Sequence, residues 1–158
     1  MLPTIYTVKE FNDGKLSVMA KPVSGEWIED EFIGLKRLGV NTVISLLEKE
    51  EEKDVGLEAE RSLCYKHNLE FIAFPIPDRG LPNTRDALIL ASKLYQQIIS
   101  GKHIVIHCRA GIGRTGIIAG AVLVKSGIDA TNALELISSA RGVQVPDTEE
   151  QENWLKVL

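Results

Sequence analysis

Apolar and polar positions along the chain follow two different periods. Short apolar or alternating runs at Ile5 to Val8, Leu16 to Ala20, Thr42 to Leu46, Glu70 to Phe74 and His103 to His107 read as strands. Between and after them, apolar residues recur with helical spacing over Trp27 to Leu38, Gly56 to His67, Thr84 to Ser100, Arg114 to Lys125, Thr131 to Arg141 and Thr148 to Leu158. Gly39, Gly101, Gly127 and Gly142 stand just past four of these helical patterns, where glycine ends a helix by taking the left-handed conformation. Asp147 and Glu150 have the spacing of a capping box for the last helix. Strands and helices in alternation predict a layered α/β fold, without repeats or linkers, as a single domain over residues 1–158. The charged run Glu48 to Asp54 reads as a solvated connection.

Composition narrows the class. A chain of 158 residues, 44% of them hydrophobic, supports one sizeable core. The net charge of −4 argues against nucleic acid or an anionic membrane surface as the main partner. No apolar run approaches the roughly 20 residues of a membrane span, and the first residues lack a basic segment followed by an apolar one, so a cytoplasmic, monomeric protein is expected. The two cysteines make no disulfide framework. Cys64 falls among the inward positions of a helical pattern, which suits a buried thiol; the alternative is a partner that resolves an oxidised Cys108. His67, His103 and His107 are too scattered for a metal site, and no cofactor is expected.

The chemistry concentrates between the strand ending at His107 and the helix that begins near Arg114. Cys108 and Arg114 bracket the residues Arg109, Ala110, Gly111, Ile112 and Gly113, a loop whose backbone N–H groups lie at a helix N-terminus. Such groups have no intrahelical acceptor, and the helix dipole adds positive charge, so a phosphoryl group is held there. The same field favours thiolate over thiol at Cys108. Arg114 supplies a planar fork for phosphate oxygens, which lysine does not. Thr115 can hydrogen-bond the sulfur, and His107 is expected to hold the loop through backbone contacts. A covalent route needs an acid for the leaving oxygen. Asp78 fits, in a segment from Phe74 to Pro82 rich in proline that reads as a surface loop.

The run from His107 to Thr115 resembles the signature of cysteine-dependent protein tyrosine phosphatases, specifically their small dual-specificity-like branch. Asp78 matches the general-acid loop of that family and Pro82 its following proline. The resemblance implies a central, mostly parallel but mixed sheet of about five strands, flanked by helices on both faces. It further implies hydrolysis of phosphorylated proteins or peptides through a cysteinyl-phosphate, without metal. Arg109, Ala110, Gly111, Ile112, Gly113 and Arg114 would then hold the phosphate, while Gln151, near Trp154, resembles a segment that packs under the pocket and helps place water. No counterpart of the phosphotyrosine-clamping loop of the large tyrosine phosphatases is evident, which admits phosphoserine and phosphothreonine. Arg109 is the one basic residue between Cys108 and Arg114, whereas lipid phosphatases carry extra lysines there, so a phosphoinositide is disfavoured.

Two other readings compete. The glycines from Gly111 to Gly116 also fit a dinucleotide fingerprint, but no convincing second strand with an acidic end follows, and that reading leaves Cys108 and Asp78 idle. A non-catalytic phosphoprotein-binding module would keep the cradle without needing Cys108, Asp78 and Arg114 together.

Overall fold

A computed structural model of the protein describes residues 2–158. In chain order the elements are β1 (Tyr6–Phe11), β2 (Gly14–Met19), α1 (Ile28–Arg37), β3 (Thr42–Ser45), α2 (Lys49–Asp54), α3 (Glu60–Lys66), β4 (Glu70–Ala73), α4 (Thr84–Ile99), β5 (His103–His107), α5 (Gly113–Lys125), α6 (Ala130–Arg141) and α7 (Glu149–Lys156). The five strands form one mixed sheet in the order β1-β2-β5-β3-β4. β1 and β2 make an antiparallel hairpin, and the other three pairings are parallel. This is the mostly parallel α/β architecture expected from the sequence.

Parallel strands must be covered on both faces, and β5 shows it most fully, since all five of its residues are buried. Because successive side chains point to opposite faces, Ile104 and Ile106 enter one core and Val105 the other. The larger core joins them to Ile44, Leu16 and Val18 under α4, α5, α6 and α7. The smaller sets Val105 with Met19, Val43, Phe32, Leu35 and Cys64 under α1 and α3. Each fully buried aliphatic side chain contributes about 1.5–3 kcal/mol relative to exposure. Cys64 thus packs on the face opposite the cluster that holds Cys108, and burial pushes its thiol far up. That is the buried-thiol reading of Cys64, and it gives the resolving role no support.

Three local expectations need correction. The charged run is not a solvated connection: Lys49 to Asp54 form α2, and Glu51 on it is buried. Glu48 caps this helix in a box in which the Glu51 side chain accepts from the Glu48 N–H at 3.0 Å. The helix expected over Gly56 to His67 starts only at Glu60, because Gly56, with φ +72°, ends the segment from α2. The capping box of α7 is one residue further on than expected, with Thr148 and Gln151 as the reciprocal pair. Asp147 lies one residue outside the N-cap, since α7 begins at Glu149, and its carboxylate contacts Arg79 at 3.5 Å.

Candidate active site

The parallel strands β2, β5 and β3 all end in register, with His107 between Met19 and Ser45. Ligands in open α/β sheets bind beyond such carboxyl ends. Here the chain leaves β5 as the loop from Cys108 to Ile112 and enters α5 at Gly113. The loop is clamped to the neighbouring strand end, as the Lys21 N–H donates to Arg109 O at 2.9 Å. Gly111 has φ +74°, and a Cβ there would lie 2.4 Å from Met19 O, so the close approach requires glycine. Ile112, at the N-cap of α5, offers no side-chain cap. The backbone N–H groups from Arg109 to Thr115 therefore find no acceptor among the described residues, which is the arrangement an anion cradle needs.

Cys108 lies at the bottom of this loop and is 3% exposed. The Thr115 hydroxyl donates to its sulfur at 3.0 Å. With Asp78, Arg79, Arg109, Ala110, Gly113, Arg114 and Asp147 it lines a pocket of about 240 Å³. Three larger hollows, two of about 470 and 570 Å³ along α6 and α7 and one of about 380 Å³ beside α2 and α3, are lined by no cysteine. The structure thus brings Cys108, Arg114 and Asp78 together, although they come from different parts of the chain.

Arg114 is 2% exposed and held from three sides. Nη1 donates to Glu51 Oε1 at 2.6 Å and to Ile76 O at 2.9 Å, while Nη2 donates to Glu51 Oε2 at 3.0 Å and to Asp78 Oδ1 at 3.2 Å. Glu51 also accepts from Arg109 Nε at 2.9 Å. Burial alone would raise the Glu51 carboxyl, but the bonds and charge of Arg114, with the Glu48 N–H and Arg109, outweigh it and hold the group below its ordinary value. In the sequence, Glu51 reads only as part of a solvated charged run and has no place in the site. Its one signal was the capping-box spacing with Glu48, which marks a helix but not the direction of a carboxylate.

Asp78 stands on the loop between β4 and α4, with its side chain 59% exposed. Fully buried Ile76 anchors the loop, its N–H donating to Leu46 O at 3.0 Å. The loop is strapped at its far end to the entry of α7. Gln151 Nε2 donates to Gly80 O at 3.2 Å, and its Oε1 accepts from the N–H groups of Asp147 and Thr148. Gln151 is fully buried. Its contacts tie α7 to the acid-bearing loop, and Trp154 on the same helix donates to Thr84 Oγ1 at 3.1 Å.

His107 is fully buried below the loop, with Nε2 2.6 Å from Glu60 Oε2 and Nδ1 3.1 Å from Cys108 O. Burial opposes its charge, yet the charge and hydrogen bond of Glu60 and the Cys108 carbonyl prevail, and its pKa is raised. Arg109 contacts Glu51, and its side chain is 43% exposed. Ala110 is exposed, and its carbonyl accepts from Arg141 Nη2 at 2.7 Å. The Arg141 guanidinium lies over the Tyr6 ring, 4.5 Å from its centroid. Among the described residues no group of His, Cys, Asp or Glu could hold a metal ion, and no helix is long and apolar enough to cross a membrane.

Comparison with known proteins shows the family and the fold. The family described as "Polymorphic toxin system, DSP-PTPase phosphatase" matches residues 17–128. An Arabidopsis thaliana protein named as a phosphatidylinositol 3,4,5-trisphosphate 3-phosphatase and protein-tyrosine-phosphatase is 35% identical over 80 residues, which cover 46% of this chain and 19% of that protein. An uncharacterized protein of Methanocaldococcus jannaschii is 25% identical over 91 residues, covering 58% of this chain and 60% of its own length. The chain therefore spans less than two thirds of either relative. Among solved structures, Tk-PTP in its active form superposes with a TM-score of 0.82 at 26% identity, over 100% of this chain and 97% of that one. A kinase-associated phosphatase whose catalytic cysteine is replaced by serine gives 0.87 at 18% identity, over 98% and 93%.

Proposed function

The chain belongs to the DSP-PTPase phosphatases of polymorphic toxin systems, and from that premise we propose that it hydrolyses phosphotyrosine monoesters in proteins or peptides through a cysteinyl-phosphate, with phosphoserine and phosphothreonine also accepted. The observation that carries this reading is the meeting of Cys108, Arg114 and Asp78 in one pocket, with the Thr115 hydroxyl on the sulfur.

The phosphoryl group enters the ring of free N–H groups from Arg109, Ala110, Gly111, Ile112, Gly113 and Arg114. It takes the Arg114 Nη2 edge that contacts Asp78 Oδ1 at 3.2 Å, which frees Asp78 to face the leaving oxygen. The Cys108 thiolate attacks phosphorus: an S–P bond forms, the P–O bond to the leaving group breaks, and Asp78 gives that oxygen its proton. Water then attacks the phosphoenzyme, passes a proton to Asp78, and the S–P bond breaks to release phosphate and thiolate. Thr115 stabilises the departing sulfur. Charge developing on the equatorial oxygens meets Arg114 and the N–H groups, which are already in place.

Phosphoinositides fit less well. Arg109, the one basic side chain between Cys108 and Arg114, has its Nε engaged by Glu51. A panel of tyrosine, serine and threonine phosphopeptides with a phosphoinositide, assayed with wild type and Cys108→Ser, tests the reading. Hydrolysis of phosphopeptides by wild type alone is the expected result. Equal rates in both proteins, or binding without turnover, would replace the mechanism with a side reaction or a binding module.

A further inference from the structure

Resting on the phosphatase reading above, we propose that Glu60 is a positioning residue for Cys108 that acts through His107, keeping the imidazole doubly protonated and aimed at the loop that carries the nucleophile. Glu60 is the first residue of α3, and its partner lies 47 positions away on the last residue of β5. Both side chains are sealed from solvent, at 0% and 2% exposure. The neighbours of His107 across the sheet, Met19 and Ser45, carry no charge.

The two contacts of His107 decide its state. A carbonyl can only accept, and so can a carboxylate, so the Cys108 O and the Glu60 Oε2 each call for an N–H from the ring. Against a Glu60 carboxylate, a neutral imidazole has one N–H and would forfeit either the Cys108 O contact or the bond to Glu60, a buried group whose other oxygen, Oε1, has no partner among the described residues. The imidazolium satisfies both. Its Nδ1–H then fixes the peptide plane of Cys108, and its positive charge lies 3.1 Å from the carbonyl of the sulfur-bearing residue. Other ionisable groups nearby are Glu52 and Lys49 on α2, Arg61 on α3, and Cys108 with Arg114 on the loop and α5. Glu52 acts on His107 in the same sense as Glu60. Loss of the Glu60 charge therefore weakens the hold on the His107 proton, and with it the electrostatic support of the thiolate.

The test measures alkylation of Cys108 by iodoacetamide against pH, mapped by peptide, in wild type, Glu60→Gln and Glu60→Asp. The expected outcome for Glu60→Gln is a profile displaced to higher pH, with a rate about 3- to 10-fold lower at the wild-type midpoint. Glu60→Asp, which keeps the charge, recovers part of that loss. A Glu60→Gln profile superimposable on wild type overturns the proposal. Should the variant not fold, nitrogen NMR of the His107 ring in the wild-type protein decides: an imidazolium at neutral pH supports the proposal, and a neutral ring with one bare nitrogen overturns it. Neither readout requires turnover, so a wild type inactive on phosphopeptides would sink the phosphatase reading and leave this result distinguishable.

Discussion

Asp78 and Arg114 divide the work at the level of single residues: one moves a proton, the other carries fixed charge. Asp78→Asn should lower kcat by about 10²- to 10⁴-fold on peptide substrates, whose leaving oxygen is basic, and by much less on nitrophenyl phosphate. Steady-state rates on the two substrates check this, and equal losses would remove Asp78 as the acid. Glu51 contributes in another way, by neutralising an arginine that is 2% exposed. Glu51→Ala leaves that guanidinium buried with only the exposed Asp78 carboxylate at 3.2 Å, and unfolding by denaturant should show a loss of about 3–5 kcal/mol. The residues that act on phosphate were legible in the sequence because Cys108, Arg114 and Thr115 lie within one loop and one helical turn. Glu51 and Glu60 were not. Their partners lie 63 and 47 positions away, and no local period reports which carboxylate of an acidic run faces inward.

Among the elements, α5 has the heaviest duty, since its N-terminus closes the anion cradle and its remainder is the most buried helix of the fold. It packs closely on α7 at Gly120, where an added Cβ would sit 2.6 Å from Leu155 Cδ2. Gly120→Ala should therefore cost about 1–3 kcal/mol through overpacking while leaving KM for a phosphopeptide unchanged. Thermal melts beside steady-state kinetics separate the two effects. The other task of α7 is to hold the acid loop through Gln151. Helix and strand positions were readable from the 3.6 and 2.0 periods, and most ends agree within a residue or two. The exceptions fell where side chains compete with simple caps. Thr148 takes the place of Asp147 because its hydroxyl and the Gln151 side chain satisfy each other's backbone N–H, and a charged run becomes α2 because Glu51 caps it and pairs with Arg114.

Taken as a whole, the molecule carries two buried ionic pairs with opposite pH behaviour. The Glu51 carboxyl lies below its ordinary 4.5, so the stability it adds is present above that pH and is lost as pH falls through the depressed value. The His107 imidazole lies above its ordinary 6.5, so its contribution is complete below that pH and fades as pH rises through the raised value. Melting temperatures should peak between about pH 4.5 and 6.5 on this account. A maximum well on the alkaline side of neutrality would show that these pairs do not govern stability. The layered α/β class was evident from alternation alone, whereas the strand order was not, because pairing partners are chosen by long-range packing.

The central claim is that phosphate passes through the sulfur of Cys108. The most direct measurement quenches the protein during turnover of nitrophenyl phosphate, whose leaving group needs no acid, and maps any phosphorylated residue by mass spectrometry, with Asp78→Asn used to slow breakdown of the adduct by removing the base for water. The account predicts a phosphoryl group on Cys108, and none on Cys108→Ser. Turnover with the phosphoryl group on any other residue, or undiminished turnover in Cys108→Ser, would contradict it.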